Sequence, residues 1–269
     1  MGSLPGFPSL KSNIIAYTSL GFFFTASVMN FKEYHAVEKI SHANKADVND
    51  AVWACFLPPL ADQPPLADGE ALLACGKKDL FLRLSGSSVL LPGGLMSMWL
   101  DRETAAKCYM VAARELSIAW RDTPQHWTWI PLEDSRFSDS AELIWVCWLE
   151  IRGKIHSKML SQGSTYAVYI VYKLAEEPDG LNFPVNASVS VGGSILASKV
   201  CLQRDPHMIH PEDVALPHQR VDGWMELELG EFVCEAGEDG DVSFGLSETE
   251  SLYCKSGLIL QGIEIRCKN

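Results

Sequence analysis

The stretch "TYAVYIVYKL", residues 165–174, is almost wholly apolar and built from β-branched and aromatic side chains. Such a run favours a strand. Its surroundings repeat the signal. Upstream lie "KCYMVAA" (107–113) and the long "AELIWVCWLEIRGKI" (141–155), each read as one strand. Downstream, "GWMELELGEF" (223–232) alternates, with Met225, Leu227 and Leu229 facing one way and Glu226 and Glu228 the other. "GLILQGIEIR" (257–266) sets Ile263 and Ile265 against Glu264 and Arg266. Many short strands, frequent turn signals and few helical patterns predict a mainly β, antiparallel sandwich. Its main irregular insertion is 201–222, which carries Pro206, Pro211 and Pro217.

The N-terminal part reads differently. Residues 48–56, "VNDAVWACF", suit a short amphipathic helix with Val52, Trp53 and Phe56 on one side. The next segment, "PPLADQPPLADG" (58–69), duplicates PPLAD, and its four prolines make a stiff, exposed connector. The expected organisation is a divergent, helical or irregular segment over 1–47, a linking region over 48–106 and a β domain over 107–269. Residues 12–31 carry no charge and are long enough to span a bilayer. They are diluted by Ser, Thr, Asn and Gly, however, and have only Lys11 as a positive flank. A partly buried helix or a loose extension is the plainer reading, and no membrane role is expected.

The chain has 269 residues and a formal net charge of −12. It is long enough for a real core and too acidic for a nucleic-acid backbone. The eight cysteines are scattered, with no C-x-x-C pair. They read as reduced, mostly buried thiols of a cytosolic or nuclear protein. His207 and His210 form an H-x-x-H pair in the long loop. Loop histidines between prolines are more often solvated than ligating, so no metal is expected. No phosphate loop, dinucleotide fingerprint, zinc-protease or nucleophile-elbow motif is present, so neither catalysis nor a cofactor is expected. Glu226 and Glu228 would lie about 6.6–6.8 Å apart along a strand, near a glycosidase spacing. Alternation places them more simply on the wet face of a sheet.

The informative stretch is "LSIAWRDTPQHWTWIPLEDSRF" (116–137), which holds Trp120, Trp127 and Trp129. Asp122 and Pro124 favour a reversal that returns Trp120 to the Trp127 edge. Trp127 and Trp129 share a strand face. Such rings are either core or stacking surface for the C–H faces of sugars. Trp148 and Trp224 read as core.

Residues 107–155, from "KCYMVAARELSIAW" through "RDTPQHWTWIPLEDSRF" to "WLEIRGKI", resemble the start of the Nictaba-like, or phloem protein 2-like, lectin domain of plants. "STYAVYIVYKL", "RVDGWMELELGEF", "EDGDV" and "KSGLILQGIEIR" continue the match in order, to about residue 266. The resemblance implies a jelly-roll-like β-sandwich that binds N-acetylglucosamine oligomers and N-glycan cores on glycoproteins in the cytosol and nucleus. It places the sugar-binding tryptophans at Trp120 and Trp127, and Trp129 completes the candidate set. The insertion 201–222 lacks the lysine cluster that some of these lectins use for nuclear import. Upstream, "DAVWACFLP" (50–58) and "GLMSMWLDRETAAKCYM" (94–110) resemble the subgroup fused to an N-terminal F-box. That subgroup implies a substrate adaptor docking a Skp partner of a cullin ubiquitin ligase. Leu4-Pro5 is present, but the sequence after it departs from the F-box pattern.

Overall fold

The computed structural model describes residues 77–251 and 253–268. The helix expected over 48–56, the proline-rich connector, the uncharged stretch 12–31 and the F-box-like region lie outside these residues. Among the described residues no helix is long and apolar enough to cross a membrane.

Helix α1 (Lys77–Gly86) precedes two sheets that form the expected jelly-roll-like β-sandwich. The larger sheet runs β1 (Val89–Leu90), β2 (Met96–Leu100), β3 (Lys107–Ala112), β15 (Ser256–Cys267), β8 (Ser164–Asp179), β13 (Met225–Cys234) and β12 (His218–Gln219). β5 (Trp127–Ile130) joins it through β6 (Ser140–Leu143), which pairs with β15. The smaller sheet runs β11 (Val214–Ala215), β10 (Ser194–Val200), β9 (Val185–Val191), β14 (Asp241–Glu248), β7 (Leu149–His156) and β4 (Ser117–Ile118). The ladders are antiparallel except β10 with β11. β1 and β2 lie upstream of the Lys107 start expected from sequence.

β8 shows why its sequence is a continuous apolar run. Val168, Ile170 and Tyr172 enter the core between the sheets. Val171, on the opposite face, joins a smaller cluster with Met110, Ala112, Phe137 and Trp224. Chain from the 131–139 segment, through Leu132 and Phe137, covers that outer face. A strand buried on both sides cannot alternate. Trp224 is core, as expected.

Covering the outer face also changes the fate of the glutamates. Glu226 and Glu264 are buried rather than wet. Arg220 lies 3.4 Å from Glu226 and 3.1 Å from Glu264, and Arg136 lies 3.2 Å from Glu264. Arg266 pairs with Glu226 at 2.8 Å, as does His218. Buried carboxylates persist only when matched in this way. Glu228 binds elsewhere, accepting a hydrogen bond from the Tyr169 hydroxyl and pairing with Lys268. The two carboxylates therefore serve separate ion networks.

Three further expectations are corrected between β6 and β7. Residues 141–155 are two strands, because the chain leaves the larger sheet after Leu143 and enters the smaller one at Leu149. A strand cannot belong to both sheets of a sandwich without a bend at the crossing. Trp148 falls in that crossing and is half exposed, not core. Cys147 falls there too and forms a disulfide with Cys254, so the thiols are not all reduced.

One glycine is needed beside this crossing. Gly180 has φ +66°, and a Cβ there would run into the Cys254 carbonyl. Gly180→Ala is expected to cost roughly 1–2 kcal/mol for the backbone alone, with more from the clash. A thermal melt checks this; an unchanged midpoint would contradict the close approach.

Candidate functional site: an aromatic rim at the sheet crossing

The loop between β4 and β5 is fixed at several points. The Ala119 N–H donates to Glu150 O at 2.9 Å, and Thr123 N–H donates to Trp120 O at 2.9 Å. The Arg121 guanidinium reaches back to the carbonyls of Leu116 (2.9 Å) and Arg114 (3.2 Å). Trp127 opens β5 with its ring in the core, only 2% exposed. Its Nε1–H donates to Ala119 O at 3.0 Å. A ring so buried offers no face to a ligand. It instead anchors the residue before Trp120.

Trp120 is the opposite case. It is 55% exposed and holds φ +66°, a left-handed backbone that bulky side chains rarely adopt. Such a conformation persists only where surrounding bonds enforce it, and it clusters at functional sites. Beside it opens a cleft of about 520 Å³ lined by Glu115, Ser117, Trp120, Arg121, Asp122 and Thr123. That volume suits a small ligand. Trp129 is half-buried, and the Arg114 guanidinium sits 3.8 Å from its ring centre. Arg114 is itself held by Asp139 at 3.1 Å. One face of Trp129 is thus already covered.

The rim continues beyond Trp120 and Trp129. The His126 ring lies 5.9 Å from Trp120, tilted by 58°, and stacks on Trp145 at 6.3 Å and 21°. His126 Nδ1 is 2.7 Å from Trp145 O, which requires a proton on Nδ1 and fixes the ring. Trp145 is 51% exposed and Trp148 50%. The Trp148 Nε1–H donates to Glu150 at 3.3 Å. Exposed flat rings interleaved with carboxylates and guanidiniums can hold a ligand that is apolar on its faces and hydroxylated at its edges. The signal for Trp145 and Trp148 lay in "IWVCW" (144–148), where apolar residues occupy both parities and no single strand face can bury them.

The crossing is held by more than the disulfide. Val146 and Lys255 exchange two backbone hydrogen bonds, at 3.0 and 2.7 Å. The buried Lys255 ammonium donates to the carbonyls of Cys147 (3.2 Å) and Tyr253 (2.9 Å). Burial draws the Lys255 pKa below its usual range. Of the four free cysteines described, Cys267 is half-buried and the other three are different. Cys108, Cys201 and Cys234 are buried, and desolvation pushes Cys108 up to about 12. These three thiols are expected to resist alkylation by iodoacetamide in the native protein at neutral pH. Peptide mass spectrometry before and after denaturation checks this, and rapid native labelling of Cys108 would contradict it.

A sequence profile described as phloem protein 2 matches residues 106–267. An F-box protein of Arabidopsis thaliana is 39% identical over 223 residues, covering 81% of this chain and 68% of its own. F-box protein PP2-B10 of Arabidopsis thaliana is 38% identical over 221 residues, covering 81% of this chain and 80% of its own. Among solved structures, TmCBM61 in complex with β-1,4-galactotriose aligns with 57% of this chain and 87% of its own, at 9% identity and a TM-score of 0.32. On the profile match and the identity to these relatives, the chain belongs to the phloem protein 2 family.

Proposed function

We propose that the β domain is a non-catalytic glycan-binding module, and that its ligands are N-acetylglucosamine oligomers or N-glycan cores on glycoproteins. The observation that carries this reading is Trp120: an exposed indole in a left-handed backbone, anchored from below by Trp127 and set beside a polar cleft. Indole faces stack on the C–H faces of pyranose rings, while Asp122, Arg121 and Glu115 offer the polar groups that hydroxyls and acetamides require. His126 and Trp145 extend the stacking surface. Trp129 joins the site through Arg114 at its margin. A glycan array probed with the full chain tests the reading: binding to N-acetylglucosamine oligomers supports it, and an array blank for all glycans overturns it. The module is expected to work in the cytosol or nucleus.

A second reading has its own support, because the relatives aligned along 81% of this chain are named F-box proteins. On that reading residues 1–60 dock a Skp partner and the β domain selects a glycoprotein client for a cullin ubiquitin ligase. A pull-down with the full chain that recovers Skp and cullin supports it. A pull-down that recovers neither counts against it.

A further inference from the structure

We infer that the Cys147–Cys254 disulfide is a redox control on the glycan site, an inference that rests on the glycan-binding reading above. The bridge joins two segments 107 residues apart in sequence. One is the sheet crossing, where Cys147 sits between Trp145 and Trp148. The other ends at Lys255, with Tyr253 exposed next to Cys254 and stacked on Phe183 at 4.9 Å. Both bridged residues are half-buried, which leaves the bridge more open to a small thiol than the buried Cys108, Cys201 and Cys234. A disulfide in a reducing compartment is more often transient and redox-sensing than structural.

A contiguous set of contacts runs from the bridge to the site. Cys147 follows Trp145 by two residues, Trp145 stacks on His126, and His126 lies against Trp120. The Ile144 N–H donates to His126 O at 2.9 Å, so the crossing and the Trp120 loop also share a backbone bond. With the bridge closed, the crossing is tied covalently to Cys254, just before β15, and its rings stay in place. With the bridge open, its link to the 253–255 segment rests on the Val146–Lys255 pair and the Lys255 ammonium. Ordering the crossing on each binding event then weakens the ligand's hold.

The chemistry is thiol–disulfide exchange with a small-molecule thiol such as glutathione. Its thiolate attacks one sulfur of the bridge, forming a mixed disulfide and releasing the other cysteine as a thiolate, which takes up a proton. A second thiol releases the first cysteine in the same way. The protein gains two electrons and two protons, and the two small thiols leave as their own disulfide.

The test measures affinity for the N-acetylglucosamine trimer by calorimetry, using the full chain oxidised, reduced with dithiothreitol, and reoxidised with glutathione disulfide. Reduction is expected to weaken binding by about tenfold and reoxidation to restore it. Cys147→Ser and Cys254→Ser are expected to bind at the reduced level and to ignore the reductant. Equal affinity in all states overturns the inference while leaving the glycan reading intact. If the oxidised protein binds no trimer, the glycan reading fails instead. Hydrogen exchange then judges the bridge alone. Faster exchange at the Ile144 and Val146 amides on reduction supports control of the crossing, and unchanged exchange overturns it.

Discussion

Replacing Trp127 with alanine should be among the most damaging single changes in the β domain. The ring is one of the largest fully buried side chains described, and it packs in the main core between the sheets. Tryptophan-to-alanine changes at such sites cost about 3–5 kcal/mol. For a chain of this size that corresponds to a fall in melting temperature of roughly 10 °C. The change also removes the donor to Ala119 O, one of the two bonds that hold the residue before Trp120. Trp127→Phe separates the two effects. It keeps most of the volume, so the protein is expected to fold, but glycan binding should weaken because the Trp120 loop loses its anchor. A melt of Trp127→Ala indistinguishable from the unmodified chain would contradict the placement of this ring in the core.

Trp120→Ala should show the converse pattern. The side chain is more than half exposed, so its loss removes little packing and the melting temperature should hold. Binding should fall by about 2 kcal/mol, roughly thirtyfold, the effect of removing a central aromatic anchor. Trp120→Gly sharpens the point. Glycine accepts φ +66° without strain, so this variant should be about 1 kcal/mol more stable than Trp120→Ala while binding no better. Such a result means that the backbone strain at Trp120 is retained for the ring it presents. Undiminished binding by either variant would move the site elsewhere on the molecule.

The strands were legible because their physics is local. "TYAVYIVYKL" and "GLILQGIEIR" carry apolar, β-branched patterns that only a sheet can bury, and both are strands in the larger sheet. The sheet crossing was not legible. "AELIWVCWLE" reads as one strand because nothing local marks where the chain leaves one sheet for the other. The bend, the exposure of Trp148 and the pairing of Cys147 with Cys254 all follow from that tertiary choice. Glu226 looked solvated for a similar reason. Its cover comes from Arg220, Arg266 and His218, whose positions depend on how β12 and β15 flank β13 and β8. At the site, the turn after Trp120 was readable from Asp122 and Pro124. That Trp120 faces outward while Trp127 faces inward required the register of β5 against β6.

The most direct measurement is a titration of the ¹⁵N-labelled full chain with the N-acetylglucosamine trimer, followed through the tryptophan indole N–H signals. The signals of Trp120, Trp145 and Trp148 should shift in proportion to bound ligand. Trp224, buried on the outer face of the larger sheet, should remain in place. Indole signals that stay fixed at saturating trimer, or a shift confined to Trp224, would contradict glycan binding at the rim.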